Sequence, residues 1–398
     1  MISINDLKSY MILFIISVWL FSEYIKAVTN INGISIIIPI LLFILSFLSI
    51  RKIKNNDVKT IFLSIIFILL VTIISVLNFS SFFNFYGVFF EVVKLFSFLA
   101  LIFLPYFFPK EKDKYFLNII LYFLYVNIIV LSLQLIVSVD IVKYIGMTHG
   151  MDTQFLRDSR PTGLTNSSNT IGGVSVFFLL LSIYLYKIKN NLYFDNKKLA
   201  KMIILSIICI ILSTSKQSFF CMLIIISMFN GINFKRIIFG FFIGFSLIFA
   251  FLYYNTFNVM DKVEQYIYLF SNIGNGLNLI FVENRGVHLY NALSIFSNNI
   301  IGLGFGTWGD YSSTFNLNNT MILGYNKMSD GYMSHLIVEQ GIFIFLYFYI
   351  LYCFIPSNKY RMILLVVTLI MFFPSMGFSV PVFTTGFCLV VYFMSRYN

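Results

Sequence analysis

Charge is what this chain has least of. Asp, Glu, Lys and Arg make up 11% of its 398 residues, where a soluble domain carries about 25%. So few charged side chains cannot cover the surface of a water-soluble protein of this length. Cysteine is scarce as well. Cys209, Cys221, Cys353 and Cys388 lie in or beside apolar runs, without the spacing of a metal cluster or a disulfide framework, and read as small buried hydrophobes. No cleavable leader stands out, and the first apolar run reads as a signal anchor. What is abundant is apolar surface: 59% hydrophobic residues, 49 Phe and 25 Tyr, with a mean hydropathy of +0.89. Lipid-facing and packing surface accounts for most of the aromatic residues, and some at the loop boundaries suit interface anchors.

A bilayer-spanning helix needs about 20 mostly apolar residues, because lipid offers the backbone no hydrogen-bond partner. Candidate spans fall at about 9–25, 32–50, 60–77, 87–108, 115–139, 170–187, 201–214, 217–232, 236–256, 333–355, 361–374 and 379–395. The expected fold is therefore an all-α polytopic membrane protein of about 12 spans. Basic residues set its orientation. With both termini inside, most of the 27 Lys and Arg fall in short inner segments, as the positive-inside rule requires. That clustering explains the net charge of +11 without a nucleic-acid partner, since no basic groove is implied. The short inner loops also lack a nucleotide-binding signature. Two long loops, 140–169 and 257–332, fall outside, so chemistry is expected on the outer face.

The first outer loop holds Arg157, Arg160, Pro161 and Gly163, then Asn166, Ser167, Ser168, Asn169 and Thr170 leading into an apolar helix. Two guanidiniums beside an exposed helix N-terminus suit an anion, because Arg forks match phosphate oxygens and free N–H groups add a favourable dipole. A solvated turn with an N-cap fits the same residues. Lys216, in the short turn Ser213–Ser218, is a lone interface cation or a third charge for that anion. Glu91 and Lys94, three apart in the fourth span, share a helix face; a self-satisfied pair and a lining of the outer cavity both fit.

In the long outer loop, Leu289, Leu293, Phe296 and Ile300 recur at helical spacing and predict an amphipathic helix on the membrane. Its other face carries Asn284, His288 and Asn291, with Arg285 adjoining. A glycine-rich turn follows, with Gly302, Gly304, Gly306 and Gly309 around Trp308, whose ring suits stacking on a sugar. Asp330 stands at the mouth of the tenth span, as an N-cap, as a general base for a hydroxyl, or as both. His335 and Glu339, four apart, share the next helix face.

These residues, in this order, resemble the superfamily of Wzy-type polysaccharide polymerases and O-antigen ligases. The resemblance covers roughly 155–345. It rests on Arg160, Gly163, Asn166 and Asn169; on Ser215-Lys216, with Lys where the family has Arg; on Arg285 through Gly306; and on Asp330, Glu339 and Gly341. Ligases usually carry a His where this chain has Asp330, which favours a polymerase; His335 is out of register for that His. The resemblance implies a GT-C-like, metal-independent and cofactor-free glycosyltransferase of the bacterial inner membrane. It would move a growing glycan from undecaprenyl diphosphate to the non-reducing end of a lipid-linked repeat unit, inverting the anomeric carbon. Donor and acceptor are then both undecaprenyl-diphosphate-linked oligosaccharides, and a separate chain-length regulator is an implied partner. Asp330 would be the base, with His335 its substitute. Arg157, Arg160, Lys216 and Arg285 would neutralise the diphosphate, and Asn166, Asn169, His288, Glu339 and Trp308 would line the site. A ligase and a lipid-linked oligosaccharide flippase are the competing expectations.

Overall fold

The computed structural model describes residues 4–29, 55–78, 85–96, 108–136, 161–165, 167–188, 194–228, 285–308, 321–322, 325–326, 331–373 and 377–397. Within them the chain is helical apart from an antiparallel pair of two-residue strands, Met321–Ile322 and Tyr325–Asn326. The helices are α1 (Ile4–Leu20), α2 (Ser22–Thr29), α3 (Asn55–Asn78), α4 (Phe85–Phe96), α5 (Asp113–Ile136), α6 (Ser168–Ile188), α7 (Asn196–Leu212), α8 (Lys216–Met228), α9 (Arg285–Asn298), α10 (Tyr332–Gln340), α11 (Ile344–Phe354), α12 (Arg361–Phe372) and α13 (Pro381–Arg396). Every expected span that falls within the described residues is helical there. The segments 32–50 and 236–256 lie outside them.

Among the described residues, four stretches are long and apolar enough to cross a membrane: Asp57–Leu77, Lys110–Ile136, Ser168–Ile188 and Tyr332–Phe354. The protein is membrane-embedded by this measure. On α3, Phe62, Ile65, Leu69, Ile73 and Leu77 form an exposed stripe at helical spacing, while Phe67 and Val71 on the other face are fully buried. An apolar stripe of that kind suits lipid.

The most enclosed of these helices is α6, packed among α7, α8 and α13. Its sequence explains why. Gly172 and Gly173 carry no Cβ, and one built there would meet Ser218 Oγ at 2.4 Å and Phe383 at 2.9 Å. Small residues let helix backbones approach closely where lipid provides no hydrophobic drive to association.

Polar contacts gather at two ends of the bundle. At one end the buried Asp113 accepts hydrogen bonds from the Tyr392 hydroxyl at 2.7 Å and the Tyr397 hydroxyl at 2.8 Å. Arg396 Nε stands 3.2 Å from Oδ2, the oxygen that accepts from Tyr397. Nearby connections are Lys198 to Asn118 at 3.3 Å and the edge-on Tyr184–Tyr360 ring pair. At the opposite end lie the start of α6, the α7–α8 turn, the end of α12 and the start of α10. The Gln217 amide there donates to the Ile370 carbonyl.

The tenth expected span is not one continuous helix. It breaks at Gly341, whose φ is +54°, passes through a 3-10 turn over Gly341–Phe343, and resumes as α11. A positive φ there favours glycine because a Cβ would crowd the backbone.

Candidate functional site

The glycine-rich turn after α9 is the centre of this end of the molecule. Leu303 N donates to Val338 O and Gly304 N to Glu339 O, each at 2.9 Å, and Ile342 N donates to Ile300 O at 2.8 Å. The turn therefore supplies donors to two carbonyls freed at the break, Val338 O and Glu339 O, and an acceptor for Ile342 N. The contact is too tight for side chains. A Cβ on Gly341 would stand 2.3 Å from Gly302 N, and one on Gly304 would stand 2.4 Å from Ser75 Cα on α3. The turn is a wedge among α3, α4 and α10.

Glu339 fastens the wedge. Its Oε1 accepts from the backbone N–H of Thr307 at 3.0 Å and of Trp308 at 3.1 Å. Its Oε2 lies 3.0 Å from His335 Nε2, and the same nitrogen lies 3.2 Å from Glu91 Oε2. His335 and Glu339 meet because they are one helical turn apart. Glu91 reaches them from α4. The cluster is buried, with the imidazole its most exposed member at 11%. Together with Glu91 these three side chains offer three metal-ligating atoms within 4.8 Å of one another. From the sequence, Glu91 reads as a partner of Lys94, whose side chain lies outside the described residues, or as lining of the outer cavity. Only the tertiary fold brings it to His335.

Trp308 does not present a face to a sugar. Its indole is fully buried with Ala292, Ile295, Leu303 and Val338, so it acts as a core residue that pins the turn to α9 and α10. The expected apolar stripe of α9 keeps Leu293 and Ile300 outward, about half exposed at 49% and 56%, as a face turned to the membrane would be. A second apolar face, Ala292 and Ile295, turns toward the protein and packs beside α10. His288 is half-buried on the same helix. Arg285 opens it; its side chain lies outside the described residues.

The second group forms around the start of α6. The predicted Pro161–Gly163 turn is present, and Gly163 has φ +61°. Two side-chain amides of α5 hold it. Gln134 Oε1 accepts from Thr162 N at 3.0 Å and Gly163 N at 2.9 Å, and Asn127 Oδ1 accepts from Leu164 N at 2.8 Å. Ser167 caps α6, its Oγ accepting from Thr170 N at 3.1 Å. Asn169 is buried, and its Oδ1 accepts from Ser215 Oγ at 3.0 Å. Ser218 Oγ in turn donates to Ser215 Oγ at 2.9 Å. Two helix N-termini, those of α6 and α8, thus meet through side chains. Exposed Lys216 begins α8, and the buried Ser168 Oγ has no hydrogen-bond partner among the described residues. Thr214, with φ +51°, makes the α7–α8 turn.

Arg157, Arg160, Asn166 and Asp330 lie outside the described residues. Asn127 and Gln134 are the site residues that sequence reasoning missed. A polar amide inside an apolar run was the available signal for both.

No protein-family model, curated protein or solved structure matches this chain. The functional reading rests on its own residues.

Proposed function

We propose that the protein is a polysaccharide polymerase acting on undecaprenyl-diphosphate-linked glycans at the outer face of a bacterial inner membrane. The observation that carries this reading is the meeting of separately expected segments at one end of the bundle. The Asn169–Ser215 hydrogen bond joins the loop after Pro161 to the turn that carries Lys216. At the same end, the glycine-rich turn closes on Glu339 and Gly341.

Two helix N-termini with Lys216 beside them favour an anion, because the helix dipoles add to the ammonium charge. A diphosphate leaving group fits that chemistry, and Arg157, Arg160 and Arg285 are its further candidates. The acceptor hydroxyl would lose its proton to Asp330 as it attacks the anomeric carbon, and the carbon–oxygen bond to the diphosphate would break with inversion. His335, held between two carboxylates, is the less suitable base, because its Nε2 is already engaged.

The interrupted α10–α11 helix is a feature of transporters, where freed backbone groups face a ligand. Here Leu303, Gly304 and Ile300 take up the backbone groups around the break, so the interruption lends the flippase reading no support.

The test is formation of a polymer ladder from lipid-linked repeat units by wild type and by Asp330→Asn, Arg157→Ala, Arg160→Ala and Arg285→Ala, at matched membrane levels. The expected result is loss of the ladder with Asp330→Asn and shortened or absent polymer with each Arg variant. Full-length polymer from Asp330→Asn rejects its role as base. Activity in all four variants moves the site elsewhere. Transfer only onto a non-repeat acceptor indicates a ligase.

A further inference from the structure

We propose that Glu91, His335 and Glu339 form a binding site for one divalent first-row transition-metal ion, zinc or manganese, that ties α4 to α10. The inference stands apart from the glycosyl-transfer reading.

Its geometric basis is that two carboxylate oxygens converge on one nitrogen. His335 Nε2 is 3.0 Å from Glu339 Oε2 and 3.2 Å from Glu91 Oε2. That nitrogen carries at most one hydrogen, and one N–H cannot point at both oxygens with good geometry. A plain ion-pair arrangement would offer one carboxylate to each ring nitrogen. A metal ion satisfies the convergence directly. With metal–ligand bonds of about 2.1 Å, neighbouring ligand atoms stand about 3.0 Å apart at the right angles of a six-coordinate site and about 3.4 Å apart at tetrahedral angles. The spacings therefore suit six-coordinate manganese or a zinc ion with compressed angles.

The charge balance agrees. The two carboxylates and a neutral imidazole sum to two negative charges, and a divalent ion brings the three-residue set to neutrality in a buried place. The ligand chemistry sets the class of ion: imidazole favours transition metals over magnesium or calcium, and two carboxylates suit zinc and manganese.

The surroundings are also those of a metal ligand. Metal-bound carboxylates are held by outer hydrogen bonds. Glu339 has two, from the Thr307 and Trp308 amides. His335 and Glu339 lie one helical turn apart on α10, while Glu91 comes from a different helix. The ion is a strut: it would lock the α10 break, the glycine-rich turn and α4 into one unit. Binding displaces the Nε2 proton, so affinity falls as pH drops.

The experiment uses the full chain purified in detergent and then in nanodiscs, stripped with EDTA and dialysed. It is reloaded separately with Zn²⁺, Mn²⁺, Mg²⁺ and Ca²⁺. Metal content is read by mass spectrometry and thermal unfolding by tryptophan fluorescence. The expected result is one Zn²⁺ or Mn²⁺ per chain with a raised Tm, no such effect of Mg²⁺ or Ca²⁺, and at least about tenfold weaker binding in Glu91→Gln and His335→Gln. Wild-type protein that is monodisperse yet retains neither ion, with a Tm insensitive to both, overturns the proposal and leaves a hydrogen-bonded ion pair only. That outcome does not depend on whether the variants fold. Polymer formation is assayed separately. Active enzyme that binds neither ion removes the metal site alone, and metal-loaded protein that makes no polymer removes the polymerase reading alone.

Discussion

Glu339 shows how much one side chain can decide. It accepts two backbone hydrogen bonds from the glycine-rich turn and also faces His335. Glu339→Ala should cost about 3–5 kcal/mol, because it strands two buried amides and an imidazole. Glu339→Gln keeps an acceptor for the amides and should cost less. Denaturant unfolding in micelles checks both; an alanine variant within about 1 kcal/mol of wild type would show that those groups find other partners. Gly341 is the backbone counterpart. Gly341→Ala combines a positive φ with a Cβ 2.3 Å from Gly302 N. It should lower Tm and detach the turn, read as new protease sensitivity near Trp308. The sequence marked Glu339 and Gly341, since both lie in the stretch that resembles the family. Glu91 stood out as a carboxylate within a span, paired with Lys94 or lining the outer cavity, but its partner His335 was not legible.

At the scale of elements, the same polar groups that interrupt apolar runs also attach the loops. Asn127 and Gln134 lie within a span, where polar side chains are costly unless they face a partner. Their partner is the Pro161–Thr165 backbone. Gln134→Leu should therefore loosen the loop that leads into α6, at about 1–3 kcal/mol for each stranded amide. Under the proposed function, polymer should shorten or vanish while the chain remains in the membrane; unchanged polymer length with wild-type Tm would separate the loop from the site. Helix existence was legible because long apolar runs have few alternatives in lipid. The break at Gly341 and the inward face of α9 were not. Both depend on which neighbour packs there, and α9 turns Ala292 and Ile295 inward for the sake of α10 rather than for its own periodicity.

At the scale of the molecule, the expected orientation makes a direct claim about sides. Lys216 and Lys359 are both exposed, and they belong to opposite ends of the bundle. In a background with Cys353→Ser, the remaining cysteines are buried. Lys216→Cys should then react with a membrane-impermeant maleimide in intact spheroplasts, and Lys359→Cys only after permeabilisation. Labelling of both from the same side would reject the proposed threading.

The sequence by itself determined that this protein lives in a membrane, that it is helical, and that its polar interruptions gather in a few segments. Those properties follow from local composition, because a backbone in lipid must satisfy itself. Tertiary structure decided which interruptions meet. The glycine-rich turn finds Glu339, Gln134 finds Thr162, Asn169 finds Ser215, and Glu91 finds His335. Such pairings are set by helix packing and close glycine contacts between distant parts of the chain, and no local pattern encodes them.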